Sequence, residues 1–145
     1  MIRLYNRTLP ALVPGGYNWV DVRDVVKGAV SAMEKGRQGE RYILSGHYVS
    51  VKELAKLIEK VTDRKTTRLL IPTSMAKAGV PFIKAYATIT HNEPLYTFSS
   101  LRTLREGNQK IIHEKASREL SYNPRDLELT IRDTLDWFKA HDYIK

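Results

Sequence analysis

The chain has 145 residues, of which 42% are hydrophobic and 28% charged, proportions that exclude disorder as its main state. A chain this long can bury roughly 68–70% of its unfolded surface, which fits one domain or one lobe of a larger protein. Its 24 Lys and Arg against 16 Asp and Glu give a net charge of +8, which favours anionic partners, and the lack of cysteine excludes disulfides and thiolate chemistry.

Residues 1–10 read as a helix closed by Pro10, and Arg3 and Arg7 interrupt any apolar run that a signal peptide would need. The Pro14-Gly15-Gly16 turn follows, then a short strand from Tyr17 to Val22 rich in β-branched and aromatic residues. Asp24 is the expected N-cap of a helix with Val25, Val26, Ala29, Val30 and Met33 on one side, ended by Gly36 and Gly39.

Arg41 to Leu44 reads as a buried strand closed by Ser45-Gly46. Ser50 and Glu53 form a capping box, and the helix it opens aligns Val51, Leu54, Leu57, Ile58 and Val61 on one face. Arg68 to Ile71 is a further expected strand. Thr73 should cap a helix through Met75, Ala78 and Phe82, divided at Pro81. A looser region runs from Thr90 to Asn108. His113 to Leu120 forms a short helix, and Asp126 caps a last one with Leu127, Ile131, Leu135 and Phe138 facing the core.

This order is α/β, an α+β lobe of short strands alternating with helices and a helix-rich C-terminal half. It is an incomplete Rossmann-type unit, because no strand, glycine turn and helix stand together to receive a pyrophosphate. Gly36-Arg37-Gln38-Gly39 is the nearest match, but it lies at a helix end and has Tyr42 where a third glycine would stand. No stretch reaches the roughly 20 apolar residues of a spanning helix. No membrane partner is expected, and the expected location is cytoplasmic.

Four segments together resemble the extended short-chain dehydrogenase/reductases, the NAD-dependent epimerase/dehydratase family, in its dihydroflavonol-reductase-like branch. They are Trp19 to Val26, then Gly39 to Gly46 with Ser50 to Leu54, then Lys115 to Pro124, and the closing helix from Leu127 to Phe138. The resemblance implies a single C-terminal substrate-binding lobe over residues 1–145, with the N-terminal Rossmann cofactor domain absent. It implies an oxidoreductase or isomerase parent that uses NAD or NADP at a secondary alcohol or carbonyl, and no cofactor in this fragment. The missing cofactor domain becomes the expected partner, and the isolated chain is expected to be inactive and to self-associate.

Arg105-Glu106-Gly107-Asn108 resembles the element whose arginine holds a substrate diphosphate in sugar-nucleotide epimerases. Arg105 is therefore the candidate anion ligand, with Arg102 one turn earlier beside it. Asn108 replaces the family's acid, and Tyr17 stands where a second arginine is common. A small-molecule substrate, phosphate-bearing or of the reductase type, is expected to meet Arg105, Arg102, Tyr17 and Tyr96.

Other features carry blander readings. Tyr48 and Lys52 have the spacing of a catalytic tyrosine–lysine pair, but Ser50 caps the helix between them, so no catalytic residue is assigned. His47, His91, His113 and His141 are scattered, so no metal site is expected. Trp19 and Trp137 are expected in the core. The alternative is a basic stand-alone module for nucleic acid or protein. The dispersed charge disfavours nucleic acid.

Overall fold

A computed structural model describes residues 1–67, 69–76, 78, 98–106 and 111–145. The elements are α1 (Ile2–Tyr5), β1 (Gly16–Trp19), α2 (Val22–Lys35), β2 (His47–Ser50), α3 (Val51–Thr62), α4 (Phe98–Glu106), α5 (Glu114–Leu120) and α6 (Leu127–Ala140). Strands β1 and β2 pair antiparallel, from Gly16 opposite Ser50 to Trp19 opposite His47. Leu12 forms an isolated parallel bridge with Leu70. The result is a mixed helix and short-strand lobe, a partial α/β domain.

Local chemistry explains the helices that carry the core. The Ser50 side chain accepts from Glu53 N at 3.2 Å, while Glu53 Oε2 accepts from Ser50 N at 2.9 Å, so two orphan donors at the start of α3 are satisfied. Asp126 caps α6 by accepting from Glu128 N at 2.8 Å. These two helices pack Leu54, Ala55 and Ile58 against Leu127, Ile131 and Leu135, joined by Leu4, Tyr5, Leu12 and Ile144. Their apolar residues recur at helical spacing, so packing and propensity agree.

Several expectations change. Asp21, not Asp24, is the N-cap of α2: its carboxylate accepts from Arg23 N at 2.9 Å. Asp24 lies inside the first turn and is buried, where it accepts from Arg125 N, Nε and Nη2 at 2.8–3.0 Å. Two carboxylates three residues apart can each reach a helix start, and the long-range demand of Arg125 decides between them.

The second correction concerns Arg41 to Leu44, which is not a strand among the described residues. Tyr42 and Leu44 do turn inward onto Ala116, Leu120 and Tyr122, whereas Ile43 is exposed. The alternation of a strand is present, but no described neighbour pairs its backbone. The strand that does form, His47–Ser50, follows Gly46, where any Cβ would overlap the Trp19 carbonyl.

The third correction is α4, a helix inside the stretch expected to be loose. Trp137 also departs from expectation, since it is half exposed and stacks on His141 at 4.1 Å. Of the other expected elements, residues 73–76 are helical, while Arg68, Pro81 and Phe82 lie outside the described residues.

The Asp21–Asp24 cluster predicts acid sensitivity. Arg23's hydrogen bond holds the Asp21 carboxyl well below its ordinary range, and Arg125's does the same for Asp24. The folded carboxyls are depressed, so the unfolded chain takes up protons first as pH falls. Their stabilisation is complete above the ordinary value of 3.8 and is lost as pH drops through it towards the folded values. Asp24→Asn should cost on the order of 3 kcal/mol at neutral pH, measured by urea unfolding, and should flatten the loss below about pH 4. An unchanged urea midpoint would contradict this role.

Candidate functional site

The four residues expected to meet substrate fall on two elements and one undescribed segment. Tyr17 lies on β1, half-buried, with its ring edge-on to Trp19 at 6.0 Å between centroids. Arg102 lies on α4 and is exposed. Arg105 lies one turn further along the same helix, and its side chain is outside the described residues, as is Tyr96.

The structure brings α4 against β1. Leu101 and Leu104 anchor the helix on Val13, Ala76 and Ile71. The approach is close because Gly15 has φ +134°, and a Cβ there would overlap the Leu104 carbonyl and come within 2.8 Å of Leu104 Cδ2. The strand of Tyr17 and the helix of Arg102 are thus neighbours through a turn that only glycine fills without strain. The signal that could have found α4 is the pairing of Leu101 with Leu104 after Phe98, a short helical period bounded by Gly107.

Gly15→Ala should therefore push α4 off β1. Both the backbone conformation and the overlap oppose the new methyl group, so a loss of about 1–3 kcal/mol is expected, read as a lower urea midpoint. Retention of full stability would contradict the placement of α4.

Tyr48 and Lys52 do not form a pair on one helix face. Tyr48 is on β2, Lys52 is in the first turn of α3, and the Ser50 cap separates them. Gly36 to Gly39 sits at the C-terminal end of α2, where the unpaired backbone groups are carbonyls and the helix end is negative. A dinucleotide pyrophosphate does not fit there.

The described histidines serve separate local contacts. His113 Nδ1 lies 3.3 Å from Ser45 Oγ, His47 Nε2 lies 3.0 Å from the Arg125 carbonyl, and His141 Nδ1 lies 2.9 Å from the Trp137 carbonyl. His91 is outside the described residues. No group of three or more metal-ligating side chains comes together among the described residues.

A cleft of about 790 Å³ lies where α1, α3 and α6 all end, lined by Arg7, Asp63, Arg64, Lys65, Asp142 and Lys145 among others. Arg7, Asp63 and Asp142 all take left-handed backbone conformations there. Its cations have local work: Arg7 donates to the Lys65 carbonyl, and Arg64 donates to the Lys145 carbonyl at 2.8 Å while lying over the Tyr5 ring. Positive side chains beside three helix C-termini are the ordinary complement of the helix dipole. The cleft therefore reads as structural. No helix among the described residues is long and apolar enough to cross a membrane.

No protein-family model matches the chain. It is 28% identical over 137 residues to sterol demethylase protein B of Methylococcus capsulatus, covering 92% of this chain and 41% of that protein. It is 26% identical over 153 aligned positions to a dihydroflavonol 4-reductase-like protein of Synechocystis sp., covering all of this chain and 43% of the relative. Among solved structures, the protein gox2253 superposes with a TM-score of 0.76 at 27% identity, over 99% of this chain and 43% of that one. A nucleoside-diphosphate-sugar epimerase from Pseudomonas aeruginosa superposes at 0.71 with 26% identity, over 99% and 42%. The chain spans less than half the length of each. By sequence and by fold it is related to the epimerase/reductase proteins, as a match to one part of them consistent with their C-terminal portion.

Proposed function

We propose that this chain is the substrate-binding lobe of an NAD(P)-dependent epimerase, dehydratase or reductase acting at a secondary alcohol or carbonyl carbon. The observation that carries the reading is the match of nearly the whole chain to part of much longer proteins, one named as a reductase and one as an epimerase. In such a protein the nicotinamide cofactor accepts or donates the hydride. On this reading the cofactor is held by the other part of the enzyme, in keeping with the Gly36–Gly39 segment standing at the C-terminal end of α2.

On this reading the lobe binds and orients. Helix α4 brings the Arg102 and Arg105 positions beside β1, where a planar guanidinium suits a phosphate or carboxylate on the substrate. Tyr17 in place of a second arginine suits a smaller or less charged substrate than a sugar nucleotide. The reading as a nucleic-acid module gains no support from the charges, since Arg23, Arg37, Lys60, Lys115 and Arg125 are each engaged by a carboxylate.

Titrating the isolated chain with NAD, NADH, NADP or NADPH should leave its melting temperature unchanged, because stabilisation by a ligand requires a site in the folded state. A saturable rise with any of the four would refute the assignment.

A further inference from the structure

Helix α3 presents two faces. Leu54, Ile58 and Val61 pack into the core, whereas Lys52, Ala55, Lys56 and Glu59 recur at i, i+3, i+4 and i+7 as a second stripe. That stripe borders a cavity of about 350 Å³, closed on its other side by Leu12, Thr66 and Thr67.

The floor of the cavity is apolar and buried, formed by Leu12 and Ala55 with Thr66 beside them. Its far wall is fixed by hydrogen bonds of its own. Thr66 N donates to Glu59 Oε1 and Thr67 Oγ1 donates to the Leu9 carbonyl, both at 2.7 Å. Leu12 N donates to the Leu69 carbonyl at 2.6 Å, and Ile71 N donates to the Leu12 carbonyl at 3.0 Å. The cavity is therefore preformed, as small-ligand sites usually are.

The rim is charged. Lys52 and Lys56 are exposed, stand one helical turn apart and form no ion pair among the described residues. Lys60, one turn further, is held by Glu128. Like charges at this spacing repel each other, and an anion between them relieves the repulsion. Glu59 stands at the other end of the stripe, roughly 10 Å from Lys52 along the helix axis, with Thr66 N on its carboxylate. Two ammonium groups against one carboxylate leave a single excess positive charge. That balance suits a monoanion better than a phosphate dianion or a nucleotide.

We infer that this cavity binds a small amphiphilic carboxylate, its head between Lys52 and Lys56 and its apolar body on Leu12 and Ala55. The volume lies near the lower end of small-ligand pockets, so the body is a short alkyl chain or a single ring rather than a fused-ring molecule. The site is distinct from the proposed substrate side. Leu12 and Val13 are consecutive and face opposite ways: Leu12 packs with α3, and Val13 packs with Ala76 and Leu101 of α4. The inference therefore stands apart from the reading of the chain as an enzyme lobe.

Calorimetric titration of the 145-residue chain with octanoate tests it, beside octanamide as the neutral counterpart, acetate as the head alone, and inorganic phosphate. Octanoate should bind saturably, octanamide roughly tenfold more weakly, and acetate and phosphate without measurable heat. Combining Lys52→Gln with Lys56→Gln should lower octanoate to the octanamide level, whereas Lys52→Arg with Lys56→Arg should retain it. Ala55→Leu should fill the floor and remove binding of both octanoate and octanamide. Because a buried leucine can also disturb α3, the exposed lysine variants decide the matter alone. Val26→Asp with Val30→Asp, on the exposed side of α2, should leave octanoate binding unchanged. No saturable octanoate binding, equal affinity for octanamide, or displacement of octanoate by phosphate would each overturn the inference. So would binding that survives the glutamine variants and is lost in the α2 variant.

Discussion

Arg125 reaching back to Asp24 sets the orientation of most of this lobe. The two residues lie 101 positions apart, and the guanidinium and backbone of Arg125 give the carboxylate its hydrogen bonds. Asp21 joins the cluster through Arg23 and Thr130. One consequence is that α2 and the start of α6 are locked together. Another is that α2 must turn a polar position inward. Such buried pairs add little net stability once desolvation is counted, but breaking one leaves a stranded charge. The cluster acts here mainly as a specifier of geometry.

From that constraint the rest of the architecture follows. With Asp24 and Gly28 inward, α2 packs on α5 through Leu44, Tyr122 and Ala32, and its valines and Met33 face outward. On the other side, α3 and α6 make a core closed by Leu4, Tyr5 and Ile144 from the two ends of the chain. The structure is therefore well packed at its centre and carries an exposed apolar stripe along one helix. In the proposed reading, substrate meets the β1–α4 side while cofactor and general acid come from the other part of the enzyme.

Much of this was legible from local sequence, and the failures share a cause. The Ser50–Glu53 box and the Asp126 cap are decided within four residues, and both helices start where those signals stand. Local pattern favours Asp24 as a cap because its partner, Arg125, lies a hundred residues away. The Arg41 to Leu44 segment has a strand's alternation, but a strand exists only when a neighbour pairs it, and sequence pattern carries no neighbour. Helix α4 gives a weak sequence signal because two leucines in nine residues make a faint period, and its anchor, Gly15, lies far upstream. Of the candidate site, Tyr17 and the helix of Arg102 do come together, whereas Tyr96 and the Arg105 side chain lie outside the described residues.

The central claim is that the Asp24–Arg125 pair holds α2 with Val22, Val26, Val30 and Met33 facing water. It is tested most directly by titrating the native, isolated chain with an environment-sensitive apolar dye such as ANS at neutral pH and low protein concentration. The account predicts saturable fluorescence well below the unfolding transition, abolished by charged residues at Val26 and Val30. No dye binding until the chain begins to unfold would contradict it.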